Sequence, residues 1–384
     1  MFLKSQGKTK VEYYREMLKV IGSLSRLFSE STEPYIQYRI AENLFCKAFD
    51  ADNLSRTDCS ADASKNKLGV GIKTFLEKNG GTMQKVAEFN REHQLFRSLN
   101  GRNKLMKVCA LRNERIETTK RIFGLDDMIY HCVTRREKGI LVYETPMDFV
   151  RVDEIKNIKE RKNTIAFEDG LNEYSFNVTK STLYKRFSTE NILMDFPVEI
   201  LESPFDALES LFKKAEGEIL FTPLKTQEHI FLPLYSRRGG EKVVPEKSGL
   251  NQWNASGRAR GFDEAYIRIP AWIHRKFPEF FPPRETPFTL LLPNGDEMSA
   301  KVCQDSSKAL MSNPNSALGN WILRDVLNLK EGELLSYEKL AQVGLDSVVI
   351  YKSEDGKYDI DFAKAGSYEE FAGEDIEEKE DSED

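Results

Sequence analysis

The sequence predicts two folded domains, an α/β N-terminal domain with a mixed sheet flanked by helices and a mainly β C-terminal domain. Three observations carry this. The chain has 384 residues where a domain has roughly 150, and its 40% apolar residues with 24 Phe supply real cores. Apolar residues keep helical spacing through the first third and change to short alternating runs from residue 128. Beyond residue 225 the composition shifts to Pro, Gly and short apolar runs, which suits strands joined by tight turns.

Taken in order, Tyr14, Met17, Leu18, Ile21, Leu24 and Phe28 fall on one face of an amphipathic helix. A second helix is expected after Ser31-Thr32, with Pro34 in its first turn and Ile36, Ile40, Leu44 and Ala48 on one face. Residues 50–67 read as a polar loop. Residues 68–76, rich in Val, Ile, Thr and Phe and closed by Asn79-Gly80-Gly81, read as a strand. Residues 82–98 and 104–122 read as two further helices. Residues 128–133 with 140–143, and 164–167 with 174–178, read as hairpins turning at Glu137-Lys138-Gly139 and Asp169-Gly170. Residues 204–214 read as a helix within a connector. Further on, 229–235, 265–269, 288–292, 299–303, 348–352 and 358–362 read as strands, with helices near 316–327 and 336–343. The expected divisions are an N-terminal domain over 1–190, a connector over 191–225, a C-terminal domain over 226–362 and an acidic disordered tail over 363–384.

The net charge of -6 argues against a polyanionic partner until it is divided by segment. Residues 369–384 hold ten acids and one lysine; removing them from totals of 62 and 56 leaves 52 acids against 55 cations, a net of +3. Residues 85–121 hold ten cations (Lys85, Arg91, Arg97, Arg102, Lys104, Lys107, Arg112, Arg115, Lys120, Arg121) and four acids, either a phosphate-tracking surface or a solvated helix pair. A tail that competes with nucleic acid for this basic surface would raise nonspecific affinity when deleted. Five widely spaced cysteines without a C-x-x-C pair read as reduced thiols of a cytoplasmic protein, and no apolar stretch is long enough for a membrane helix.

Two regions carry candidate chemistry. In the first, acids in the turn before residues 68–76 (Asp58, Asp62) are followed by a lysine in the strand, Lys73. A carboxylate can hold a divalent ion against a phosphate while a lysine orients or activates the attacking water. Gly69, Gly71 and Lys73 share a face at the strand period of two, a smooth floor for a phosphate. Glu42 interrupts a largely aromatic helix stripe of Tyr35, Tyr38, Phe45 and Cys46, and a buried carboxylate needs a partner. Arg39 is one such partner, a metal ion another. These residues resemble the PD-(D/E)XK nuclease superfamily: a helix with Glu42, then Asp62, then Gly71-Ile72-Lys73. The chain departs from the pattern at Gly71, where a second acid belongs. The resemblance implies Mg2+ held by Asp62 and Glu42, with Asp58 a further ligand, and Lys73 acting on the water or phosphate.

The second region is polar and cationic at once. Asn251, Gln252 and Asn254 offer paired amide groups for adenine edges, and Arg258 and Arg260 suit guanine or phosphate, with Trp253 between them. Gln304, Ser306, Lys308, Asn313 and Asn315 form a second loop of similar character. Residues 250–267, with Ile269-Pro270-Ala271-Trp272-Ile273-His274 and 304–315, resemble the DNA-recognition domain of BfiI/NgoFVII-type restriction endonucleases over about 226–362. That resemblance implies a seven-stranded pseudobarrel whose two arms enter the major groove. Members of that family often carry a nuclease with an H-x-K-x4-D histidine nucleophile. Here the single H-x-K, His274-Arg275-Lys276, is followed five residues on by Phe281, which disfavours that mechanism.

The sequence therefore leads to a Mg2+-dependent Type II restriction endonuclease of a prokaryotic cytoplasm. It would act on double-stranded DNA, with a methyltransferase acting on the same site and with a homodimer left open. A non-catalytic DNA-binding regulator is the rival, kept alive by Gly71; an RNA-directed nuclease is a third reading.

Overall fold

A computed structural model describes residues 1–54, 59–78, 80–214, 227–353 and 356–373. The chain forms two compact units, Met1–Asn113 with Leu125–Leu224, and Glu114–Gly124 with Lys225–Asp384.

The first unit opens with helices α1 (Phe2–Ser5), α2 (Lys8–Ser23) and α3 (Tyr38–Phe49). Helix α3 starts later than Pro34. The preceding segment is held extended by Tyr35 N–H on Ser25 Oγ (2.6 Å) and by Arg135 on the Pro34 carbonyl (3.4 Å). Gln37 then caps the helix, its side chain accepting from Ile40 N–H. Strands β1 (Asp52–Asn53), β2 (Ala63–Lys65), β3 (Leu68–Leu76) and β4 (Gly81–Glu88) follow, then helix α4 (Gly101–Phe123), whose residues from Glu114 on belong to the second unit. After it come β5 (Asp127–Arg136), β6 (Gly139–Pro146), β7 (Lys156–Arg161), β8 (Thr164–Glu168), β9 (Glu173–Asn177), β10 (Thr182–Ser188), β11 (Met194–Pro197) and helix α5 (Pro204–Lys214).

Residues 81–88 are a strand where the sequence predicts a helix. They pair antiparallel with β10 over Gly81↔Ser188 to Glu88↔Thr182, and this long-range ladder overrides local propensity. The predicted connector also holds a strand, since β11 pairs with β6. A six-stranded mixed sheet runs β1-β2-β3-β5-β6-β11, and a five-stranded antiparallel sheet runs β4-β10-β9-β8-β7. β3 and β5 are parallel, a pairing that needs a long crossover, here containing β4 and α4. α2 and α3 bring Tyr14, Leu18, Phe45 and Phe49 against Val70, Ile72, Val133 and Val142 of the first sheet. The first half of α4 brings Leu105, Val108 and Leu111 against Ile165, Phe167, Phe176 and Leu183 of the second.

The second unit is a nearly closed, barrel-like sheet. Its strands are β12 (His229–Pro233), β15 (Ile267–Arg268), β16 (Phe288–Leu291), β17 (Glu297–Cys303), β18 (Ala309–Ser312), β19 (Leu345–Lys352) and β20 (Tyr358–Lys364), with a small hairpin β13 (Ser236–Arg238) and β14 (Glu241–Val243) outside it. The order is β12-β19-β20-β16-β17-β18-β15, and the edge strands β12 and β15 approach each other. Helices α6 (Ala271–Lys276), α7 (Ala317–Gly319), α8 (Tyr337–Val343) and α9 (Ser367–Ala372) surround it, and α7 runs into a π-helical stretch, Asn320–Val326.

Helix α9 corrects the tail boundary of 363. Tyr368 and Ala372 are buried, Trp272 Nε1–H donates to Tyr368 Oη (3.0 Å), and Glu369 accepts from Tyr235 Oη (2.6 Å) and pairs with Lys242. Residues 374–384 lie outside the described residues. Among the described residues no helix is long and apolar enough to cross a membrane.

Candidate functional site

Helix α3 turns Glu42 inward, where the residue is 5% exposed. Arg39, one turn earlier and itself half exposed, donates to Glu42 Oε2 at 2.9 Å. Burial raises the Glu42 pKa, the Asp62 charge raises it further, and Arg39 and Lys73 oppose. Glu42, distant in sequence from Asp62 and Lys73, thus feels both charges in the fold.

Asp62 is fixed by its surroundings. Its N–H donates to Val70 O (2.9 Å), its carbonyl accepts from Leu54 N–H (3.0 Å), and its Oδ2 accepts from Ile72 N–H (2.6 Å). The β2–β3 ladder ends at Ala63↔Val70, so the Asp62 carboxylate takes the amide that lies beyond the ladder. Lys73 is the next residue. Its ammonium stands 5.8 Å from the centre of the Tyr130 ring, a cation–π contact.

The glycines are not an open floor. A Cβ on Gly71 would lie 2.8 Å from Met147 Cε and 3.2 Å from Tyr130 Cδ1; on Gly69, 2.7 Å from Leu125 Cδ1. Both glycines are buried and let neighbouring side chains close over the strand. Gly71, where the nuclease pattern has an acid, is thus a packed position.

Behind Lys73 lies a buried charged cluster that sequence reading missed. Lys185 stands 5.7 Å from the same Tyr130 ring, 3.7 Å from Asp148 Oδ2 and 3.4 Å from Pro146 O. Burial lowers the Lys185 pKa against the opposing pull of Asp148. Arg112 donates to Asp148 O (2.8 Å) and Tyr130 Oη (3.2 Å). These residues come from α4, β5, β10 and the segment after β6, so no local sequence pattern could assemble them. Arg112 is spent inside the fold, and Lys85, read as part of the same basic run, pairs with Glu88.

Asp58 lies outside the described residues. Among the described residues no three His, Cys, Asp or Glu side chains gather as a metal group. Asp62 and Glu42 remain the carboxylates at hand. They fit a hard ion such as Mg2+, which takes one or two carboxylates and completes its shell with water and substrate phosphate. The raised Glu42 pKa fits as well, since a further cation beside the carboxylate would relieve its burial.

In the second unit the predicted DNA-contact residues divide by role. Asn251 is fully buried: its Nδ2 donates to Pro245 O (3.0 Å) and Leu335 O (2.9 Å), and its Oδ1 accepts from Leu335 N–H (2.9 Å). A side chain so occupied braces the loop and cannot present an edge to a base. Arg260 Nη1 donates to the carbonyls of Ala255 (2.7 Å), Ser256 (3.2 Å) and Arg258 (3.3 Å), shaping the loop from within. Asn254 is half-buried and donates to Glu246 O at 3.0 Å; Arg258 is exposed. Gln252 Oε1, Trp253 Nε1 and Arg260 Nε are buried without a hydrogen-bond partner among the described residues. Each such group costs about 1–3 kcal/mol, and proteins concentrate such costs at working sites.

The second predicted loop is two loops. Residues 309–312 are the strand β18, which the sequence reading took as loop, so Gln304, Ser306 and Lys308 precede it while Asn313 and Asn315 follow it. At the rise of a strand Lys308 and Asn313 stand roughly 16 Å apart, at opposite ends of β18. Gln304, Ser306 and Ser307 all take left-handed backbone conformations (φ 68°, 57°, 57°), a strained run for residues with side chains. Ile269 N–H and His274 Nε2 tie this end to Lys308 O and Ser307 O (both 2.8 Å).

Residues 224–354 match the family model of the NgoFVII C-terminal B3-like DNA-binding domain. This stretch covers most of the barrel-like sheet and the three loops just described. The similarity points to a restriction-enzyme-like, sequence-specific DNA-binding protein, in keeping with the resemblance read from residues 250–315. Comparison of the chain with curated proteins gives no match.

Proposed function

We propose that the chain is a site-specific endonuclease acting on double-stranded DNA, with its second unit reading the site and its first unit hydrolysing the backbone. The observation that carries this is the match of residues 224–354 to a restriction-enzyme DNA-binding domain, in a chain whose other unit brings Glu42 of α3 under the influence of Asp62 and Lys73 at a mixed sheet. That unit is read as PD-(D/E)XK-like.

Asp62 and Glu42 would hold a Mg2+ ion, with Asp58, outside the described residues, the further ligand that the resemblance implies; the ion would stabilise charge developing on the phosphate oxygens. The backbone bonds at Leu54, Val70 and Ile72 hold Asp62 still, which limits reorganisation during the reaction. Lys73, its ammonium steadied by Tyr130, orients the attacking water or moves a proton from it. Arg39 balances the second negative charge when Glu42 ionises. In the second unit Gln252, Trp253, Asn254 and Arg258 form one arm, held by Asn251 and Arg260, and Gln304, Ser306, Lys308, Asn313 and Asn315 line the loops on either side of β18. A cytoplasmic restriction enzyme of this kind works beside a methyltransferase that protects the same site, and a homodimer would cut both strands.

The second reading is a DNA-binding regulator without catalysis, favoured by the packed Gly71 where an acid belongs. Plasmid DNA incubated with Mg2+ and resolved on a gel separates the two. Discrete fragments support the nuclease, and intact plasmid with every divalent ion tried supports the regulator.

A further inference from the structure

The first recognition arm ends on an acidic pair, Asp263-Glu264, whose role the reading above leaves unused. The backbone here is seated against α7: a Cβ on Gly319 would lie 2.0 Å from Asp263 O, so only glycine permits this approach. Arg324, on the π-helical stretch, donates Nε–H to Asp263 Oδ1 (2.7 Å) and Nη2–H to Phe262 O (2.9 Å). Glu264 is thereby carried on a fixed support, with 14% of its side chain exposed, and accepts from Gly261 N–H at 3.3 Å.

From this seat Glu264 accepts two hydrogen bonds from Arg258, Nη1–H to Oε1 at 3.2 Å and Nη2–H to Oε2 at 2.5 Å. Arg258 is itself 55% exposed, and its Nη1 also reaches Ala259 O at 3.4 Å. The Nε–H and the second Nη2–H lie side by side on the adjoining edge, and Nε makes no hydrogen bond among the described residues. A phosphate grip depends on net positive charge, which the paired carboxylate largely cancels. Base reading depends on donor geometry, which the carboxylate fixes.

We infer that Glu264 is a positioning residue that aims the Nε–Nη2 edge of Arg258 at the O6 and N7 of one guanine in the major groove. The inference rests on the reading of this loop as a DNA-recognition arm.

The test uses the full chain without Mg2+, as wild type, Glu264→Gln and Arg258→Lys, each checked for folding by thermal denaturation. Each is incubated with a randomised duplex library and the bound fraction is sequenced. The wild type is expected to select a G·C pair at one position. Both variants should lose about tenfold selectivity at that pair alone, with other positions and the salt dependence unchanged. Undiminished guanine preference in Glu264→Gln overturns the inference. So does tighter binding of that variant to every duplex, which would make Glu264 a mask over a phosphate contact. A wild type that selects a sequence with no position sensitive to Arg258→Lys overturns the inference and leaves the recognition reading standing. A wild type that selects no sequence overturns both.

Discussion

Asp62 accepts a hydrogen bond from the backbone amide of Ile72 at 2.6 Å, one residue before Lys73 in the strand. The two residues are therefore separable by substitution. Lys73→Ala removes an ammonium that packs on Tyr130 and leaves the ladder intact. Asp62→Asn keeps an acceptor for Ile72 and removes the charge. We expect each to lower Mg2+-dependent cleavage by about 10²–10⁴-fold while duplex binding holds within about twofold. Plasmid digestion and fluorescence anisotropy measure the two quantities, and near-wild-type cleavage by either variant would sink the assignment.

Gly71→Asp restores the acid that the nuclease pattern calls for and is expected to fail. Its Cβ meets Met147 Cε at 2.8 Å and the Tyr130 ring at 3.2 Å, so the larger side chain must push both aside. Met147 can swing aside for a methyl, so Gly71→Ala should cost about 1 kcal/mol, and the aspartate about 3 kcal/mol or more. Urea denaturation of the two variants tests this. An aspartate variant as stable as wild type, with faster cleavage, would mean that the site has room for the missing ligand.

The legible parts of the fold were those encoded locally. The spacing of Tyr14, Leu18 and Ile21, the Val and Ile of residues 68–76, and the turn at Glu137-Lys138-Gly139 each specify their element within one short window. The strand at 81–88 was not legible, because its partner β10 lies about a hundred residues away and its own composition suits a helix. The same distinction holds in the site. Asp62 and Lys73 are adjoined by one β-turn and could be read from sequence. Lys185, Asp148, Arg112 and Tyr130 meet only through the packing of two sheets. Asn251 shows the limit most sharply: among several Asn and Gln residues in one loop, only burial reveals which one is the brace.

Asn251 and Arg258 should accordingly fail in different ways. Asn251→Ala deletes three hydrogen bonds with the backbone of residues 245 and 335 and should destabilise the second unit by about 2–4 kcal/mol. Arg258→Ala or Asn254→Ala, on exposed or half-buried positions, should leave stability nearly unchanged and weaken specific binding by about 1–3 kcal/mol. Thermal denaturation beside anisotropy on a selected duplex distinguishes them. A stable Asn251→Ala protein with lost sequence preference would return that residue to the contact surface.

Truncation after Gly373 should be tolerated, and truncation after Phe362 should not. The shorter chain loses Tyr368, which accepts from Trp272, together with Phe371, stacked on Phe277, and Glu369, which holds Tyr235 and Lys242. Losing buried Tyr368 and half-buried Phe371 should lower stability by roughly 3 kcal/mol or more. Limited proteolysis and melting temperature report on both truncations, and equal stability would show that α9 contributes nothing to the barrel.

Glu42 predicts a pH dependence with a definite sign. Burial and Asp62 raise its pKa in the folded protein above the unfolded value, so the folded state is the better proton binder. Stability is then lost as pH rises from the unfolded value of about 4.3 through the raised folded value, and the penalty is complete above that. Glu42→Gln removes the penalty and leaves Arg39 half exposed to water. The variant should melt above wild type at about pH 8, and the difference should shrink towards zero as pH falls to about 4. Added Mg2+ should raise the wild-type melting temperature at the upper pH and have little effect on the variant, since the ion supplies the countercharge that Arg39 and Lys73 leave incomplete. A variant less stable than wild type at both pH values, with no Mg2+ response in either protein, would mean that Glu42 serves only its pairing with Arg39.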